Sequence, residues 1–283
     1  MTEQVVTFGA DQHLVGTLCA PAAGEHARVG FILLNAGVIA RIGPRRFNVK
    51  LARQLAQVGF NSLRVDLSGQ GDSRASVSNL PHEEQVRADL KAAMDWMQAH
   101  SGIERFVIAG ICSGAIAGFD IAQHDPRVVG LWMLDGHAYA TLKSRLVRHW
   151  MQLTREFRPT VKSWWTKAWG LLRGRDAPKK PYAKTSPWRA PTQEAFADVL
   201  DQLSHRGVQM FIMYSSDVLW QYSYQNQFKD TFKGRSFVNQ VRCDHLKEAD
   251  HTLTALAVQQ DVIGRIQAWA TRFQQPGALP RRH

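Results

Sequence analysis

The sequence predicts an α/β fold with a mostly parallel twisted sheet flanked by helices, and three observations carry that expectation. Short apolar runs alternate with amphipathic helical stripes, the pattern of strands covered on both faces. One run, residues 106–109, continues through Gly110-Ile111-Cys112-Ser113-Gly114 into a small-residue segment, Ala115 to Phe119: strand, tight turn, helix. The alternation then breaks once, after Asp135-Gly136, and resumes beyond Pro191. The expected organisation is a core of residues 1–136 and 192–283, with a basic, Trp-rich helical segment inserted at residues 137–191.

Each element has its own signal. Residues 5–8 and 14–19, joined across Gly9-Ala10-Asp11-Gln12, read as an antiparallel ribbon. Residues 29–34 form a continuous apolar strand that ends in Asn35-Ala36-Gly37-Val38. Pro44 introduces a helix over about residues 45–58 whose Val49, Leu51, Ala52, Leu55 and Ala56 face inward, and Gly59 closes it. The strand 62–66 runs into a Gly-rich loop, Leu67 to Ser73. Pro81 opens a helix with Val86, Leu90, Ala93 and Met97 at helical spacing. After the strand 106–109 and its helix, to about residue 123, comes the strand 128–134. Beyond the insertion, a helix over 193–204 precedes the strand 209–214. A last short strand near 238–243 and a final helix over 252–273 complete the chain.

Composition sets bounds on function. The 283 residues are 45% hydrophobic, ample for a core. Three cysteines (Cys19, Cys112, Cys243) are odd in number and show no paired spacing, so neither a disulfide framework nor a zinc site is expected. The first residues lack a basic segment followed by an apolar one, and the longest apolar stretch, 29–40, is too short to span a bilayer. A soluble cytoplasmic protein is the expectation, with no cofactor and no metal. The net charge of +11 is concentrated: residues 141–190 hold thirteen Lys/Arg against Glu156 and Asp176, and the remainder is balanced.

Chemistry centres on Cys112. A nucleophile elbow holds its middle residue on a strained turn, and the close approach of strand and helix requires near-absent side chains two positions either side. Gly110 and Gly114 meet that requirement around Cys112. Centring on Ser113 would put Ile111 and Ala115 there, and Ile111 would crowd the turn. A free cysteine is otherwise commonly a small buried hydrophobe. The base and acid are expected later, in the order nucleophile, acid, base. Asp217, just beyond a strand end, is the expected acid, with helix capping as its other role and Asp244 or Asp250 as substitutes. His251, ahead of the last helix, is the expected base, and His245 its rival. The oxyanion would meet the backbone amides of Ser113 and of Gly37 or Val38. A helix N-terminus and an adjacent imidazole would lower the Cys112 pKa.

These motifs resemble the α/β-hydrolases nearly end to end. Asp66-Leu67-Ser68-Gly69-Gln70-Gly71-Asp72-Ser73 is similar to the D-x-x-G-x-G-x-S loop common in that superfamily. More narrowly, Leu34 to Ile39, Arg41-Ile42-Gly43-Pro44 and Gly-Ile-Cys-Ser-Gly-Ala resemble bacterial hydrolases associated with exosortase and exopolysaccharide loci, themselves similar in fold to serine-aminopeptidase-like lipases and esterases. Ala40 stands where those relatives often carry His. The resemblance implies ester or thioester cleavage by a cysteine nucleophile, comparable to dienelactone hydrolases. Transfer of the acyl group to an amine, thiol or hydroxyl acceptor stays open, as does a non-catalytic binding protein on the same fold.

The insertion falls where that superfamily places a lid. Its five tryptophans, among them Trp164 and Trp165, lie beside cations that include Arg145 and Arg148. Three readings stay open: a lid that packs its apolar face on the body, a site for an anionic or carrier-bound acyl substrate such as one on an acidic carrier protein, and docking to an anionic membrane surface. No nucleic-acid-binding module is recognisable, and no nucleic-acid partner is expected.

Overall fold

The computed structural model describes residues 1–22, 27–34, 36–147, 150, 190–218 and 221–274. Eight strands form one sheet in the order β1-β2-β4-β3-β5-β6-β7-β8. They are β1 (Thr2–Phe8), β2 (Leu14–Ala20), β3 (Val29–Leu33), β4 (Ser62–Asp66), β5 (Arg105–Ile111), β6 (Val128–Leu134), β7 (Gln209–Ser215) and β8 (Arg242–Leu246). The β1–β2 ribbon is antiparallel, β2 joins β4 antiparallel, and every pair from β4 onward is parallel. The alternation of runs and stripes predicts this mostly parallel, helix-flanked sheet, and its strand order is that of the α/β-hydrolase fold that the motif resemblance implies.

The helices divide between the two faces. Helices α1 (Phe47–Gln57) and α6 (Leu256–Ala270) cover one, burying Phe47, Leu51, Leu55, Val262, Ile266 and Trp269 with Phe31, Val107, Trp132 and Phe211 of the strands. Helices α2 (His82–Ser101), α3 (Ser113–His124) and α4 (Gln193–His205) cover the other, where Leu90, Met97, Phe119, Phe196 and Leu200 pack on Ile32, Ile108, Leu131 and Ile212. Adjacent residues along each strand go to opposite cores, because successive side chains point to opposite faces of a strand. A short helix α5 (Gln227–Thr231) has no counterpart in the sequence expectation.

Three boundaries differ from expectation. Residues 44–46 form a 3₁₀ turn with Arg45 and Arg46 at φ 49° and 62°, so α1 starts at Phe47. The last strand lies at 242–246, and residues 236–239 are 3₁₀. The final helix begins at Leu256, five residues beyond His251, and ends in a 3₁₀ turn at 271–274. Asp250 explains the later start: its carboxylate accepts the backbone N–H of Thr254 at 2.6 Å and the Thr252 hydroxyl at 3.3 Å, folding residues 250–254 into a loop.

Residues 142–147 are helical and expose Leu142, Arg145 and Leu146. Most of the expected lid, including Arg148, Trp164 and Trp165, lies outside the described residues. No helix among the described residues is long and apolar enough to cross a membrane.

Candidate active site

The loops leaving the carboxyl ends of β3, β5, β6, β7 and β8 gather at one sheet edge, where open α/β sheets bind ligands. Backbone bonds continue the sheet past the strand ends. The Cys112 amide donates to the Leu134 carbonyl at 2.9 Å, that of Asp135 to Met213 at 3.0 Å, and that of Ser216 to Ala249 at 2.8 Å. Cys112, Asp135 and Asp217 therefore emerge side by side from consecutive strands.

Cys112 sits at φ 56°, ψ −118°, immediately before α3. A side chain held there costs on the order of 1–3 kcal/mol, sustained only where the surroundings over-determine it. The surroundings do so here: a Cβ on Gly110 would come within 2.2 Å of the Gly114 carbonyl carbon, so strand and helix pass in backbone contact. The Cys112 thiol held on that turn is half-buried.

The thiol hydrogen-bonds to the His251 imidazole, which is the foremost cause of its lowered pKa, and the Ser113 backbone N–H also donates to it. His251 Nδ1 lies 2.8 Å from Asp135 Oδ2. That bond, followed by the one to Cys112, raises the imidazole pKa from 6.5 to about 10. With Nδ1 committed to Asp135, Nε2 is the nitrogen that faces the thiol. Thiol, imidazole and carboxylate are thus bonded in series. The arrangement favours a thiolate beside an imidazolium, which supplies a nucleophile and a proton donor together.

The carboxylate at the imidazole is Asp135, not the expected Asp217. Asp135 is fully buried at the end of β6; its Oδ1 accepts the Ser215 amide at 2.7 Å and its Oδ2 the Ser215 hydroxyl at 2.5 Å. Those two donors fix the carboxylate plane under His251. Asp217, in the 3₁₀ turn after β7, accepts the backbone N–H of His251 at 2.8 Å and so holds the loop rather than the ring. The sequence does carry a signal for Asp135, a carboxylate directly after the apolar strand beside the elbow, but Asp-Gly at a strand end also reads as a plain turn. The substitutes are engaged elsewhere: Asp244 pairs with Arg242 at 3.0 Å and Arg265 at 2.9 Å, and Asp250 shapes its loop. His245 lies within β8, buried edge-on against Tyr222, and among the described residues neither ring nitrogen has a hydrogen-bond partner.

The loop after β3 also differs from expectation. Gly37, at φ 58°, directs its N–H to the Ser113 hydroxyl oxygen at 2.7 Å, so that amide is occupied rather than open to an oxyanion. Val38 is 92% exposed. The loop is anchored on both sides. Asn48 Nδ2 of α1 donates to the Leu34 carbonyl at 3.1 Å, and Arg41 grips the buried Asp66 with its backbone amide and Nη1, both at 2.5 Å. Arg41 also reaches Asp72 at 2.6 Å and Thr17 at 3.0 Å. A Cβ on Gly71 would fall 2.4 Å from the Asp66 carboxyl carbon. The two loop motifs read in the sequence therefore close on each other. No cluster of His, Cys, Asp or Glu among the described residues could hold a metal ion.

Fold and site together define an α/β-hydrolase. Residues 30–216 match the family described as serine aminopeptidase, S33, and the chain belongs to that family. It is 28% identical over 136 residues to a probable proline iminopeptidase of Streptomyces coelicolor, a match covering 47% of this chain and 39% of that protein, so the chain spans about two fifths of the curated relative's length. Among solved structures it resembles the Pyrococcus furiosus esterase Pf2001 (TM-score 0.59, 12% identity, 97% of this chain and 93% of that one). It also resembles a putative dienelactone hydrolase from Klebsiella pneumoniae (TM-score 0.56, 16% identity, 97% and 99%). A Xanthomonas campestris serine hydrolase described as without a lid gives TM-score 0.55 at 14% identity, over 100% and 98%. At these identities the structural likeness is one of fold.

Proposed function

We propose that this hydrolase cleaves a carboxylic ester or thioester through an acyl-thioester on Cys112. The observation that carries the reading is the bonded series Cys112–His251–Asp135 on a strained elbow. The Cys112 thiolate attacks the acyl carbonyl carbon, and the carbonyl electron pair moves to oxygen. The tetrahedral adduct collapses as the carbon–oxygen or carbon–sulfur bond to the leaving group breaks, and His251 Nε2 supplies the leaving group's proton. His251 then takes a proton from water as that water attacks the thioester, releasing the carboxylic acid and restoring thiolate and imidazolium. Asp135 holds the imidazole in position throughout.

Hydrolysis is favoured over transfer because the family and the resembling structures are named as hydrolases. The names differ in substrate, so class is what they share. The narrower likeness to hydrolases of exosortase and exopolysaccharide loci belongs to the same reading. The thirteen cations of residues 141–190 favour an anionic acyl donor, small or carrier-bound.

The test is intact-mass measurement after mixing with a panel of p-nitrophenyl esters and acyl-thioesters, followed by peptide mapping. The acyl adduct is expected on Cys112 and absent from Cys112→Ala. His251→Ala is expected to slow turnover at least about a hundredfold. An adduct that persists in Cys112→Ala and maps to Ser113 would overturn the assignment.

A further inference from the structure

We infer that the Ser113 hydroxyl is itself an oxyanion donor, polarised from behind by the Gly37 amide. This deepens the reading of Cys112 as nucleophile and rests on it. The oxyanion grows beside Sγ, and the Ser113 backbone N–H already points there, bonded to the thiol. Acyl-transfer sites stabilise that charge with two donors. The second donor expected from the sequence, the Gly37 N–H, is spent on Ser113 Oγ at 2.7 Å.

A hydroxyl offers one donor and two acceptor sites. Oγ uses an acceptor site for Gly37, and among the described residues its own proton goes to no acceptor. The proton is therefore available to the one strong acceptor that forms nearby, the oxyanion. Accepting from Gly37 makes the hydroxyl a stronger donor, since hydrogen bonds in a chain polarise one another. Ser113 is the first residue of the twelve-residue α3, so the positive helix end adds to the same field. On this geometry one residue supplies both donors, backbone and side chain, and Gly37 acts as a positioning residue behind it.

The opposite role is a plug, a hydroxyl that blocks the Gly37 amide and must leave before substrate binds. Ser113→Ala separates the two. A donor predicts that the acylation rate constant, read as the burst of p-nitrophenol from p-nitrophenyl acetate, falls about 10²- to 10³-fold in Ser113→Ala. Ser113→Thr should recover most of it. Alkylation of Cys112 by iodoacetamide forms no oxyanion, so its rate should change less than about threefold in both variants. An acylation rate in Ser113→Ala equal to or above the wild type would overturn the donor role in favour of the plug. Parallel loss of acylation and alkylation would overturn it in favour of a role in thiolate formation or folding. A burst that survives in Cys112→Ala instead marks failure of the nucleophile assignment, a result distinct from these.

Discussion

The carboxylate of Asp217 holds His251 by its backbone: Oδ2 accepts the histidine amide N–H at 2.8 Å, leaving the ring to Asp135. Substitution should resolve this division of labour. Asp217→Asn keeps an oxygen that can accept the amide, so kcat is expected within about threefold of wild type. Asp135→Asn replaces the acceptor at Nδ1 and is expected to lower kcat at least tenfold, a modest bound beside the roughly 10⁴-fold of serine systems. Unchanged near-ultraviolet circular dichroism would show that the Asn side chain still fits beneath Ser215. A larger loss in Asp217→Asn than in Asp135→Asn would reverse the roles.

Iodoacetamide reactivity should report the thiolate. His251 lowers the Cys112 pKa, so alkylation should rise with pH through an inflection below the ordinary thiol value of 9.0 and then reach a plateau. The imidazolium persists up to about 10, above which turnover should fall for want of the leaving group's proton. The imidazole shift comes first from Asp135. Asp135→Asn should therefore move the upper limb of the turnover profile down toward 6.5, and with the imidazolium gone the alkylation inflection should move up. His251→Ala should raise that inflection further. An inflection unmoved in His251→Ala would remove the ion pair from the mechanism.

Arg41 should matter for stability more than for chemistry. Asp66 is fully buried and Arg41 is its cationic partner, with a side chain only 14% exposed. Removing one member of a buried pair typically costs about 3–5 kcal/mol because the other charge is left uncompensated. Arg41→Ala is expected to lower the urea midpoint accordingly, and Arg41→Lys should recover only part of the loss, since an ammonium cannot span Asp66, Asp72 and Thr17 together. An unfolding free energy within about 1 kcal/mol of wild type would show that the pair contributes little.

The strands β4 and β6 are legible to the residue, since each ends in a Gly-containing turn and β6 is an uninterrupted apolar run. The elbow is legible because its glycines answer a steric demand that spacing alone displays. β8 is not: its run Arg-Cys-Asp-His-Leu is half polar, as suits the edge strand of a sheet, and its ladder partner β7 decides its position. The start of α6 is obscured by Asp250, whose side chain competes with the helix for the Thr254 amide. Asp135 is obscured differently. Chain order favours an acid after a later strand, and only the burial of a carboxylate beneath Ser215 distinguishes the two aspartates. The Gly37 amide likewise reads as an open donor until Ser113 is seen to fill it.

The backbone bonds that carry the ladder beyond the ends of β5, β6 and β7 tie Cys112, Asp135 and Ser216 into the same cooperative unit as the central strands. Amide protons at these three positions should exchange with solvent only as slowly as the core opens, not at loop rates. The machinery then has no separate melting event of its own. On heating, catalytic competence and the central sheet should be lost together, at one midpoint, whichever of the two is followed.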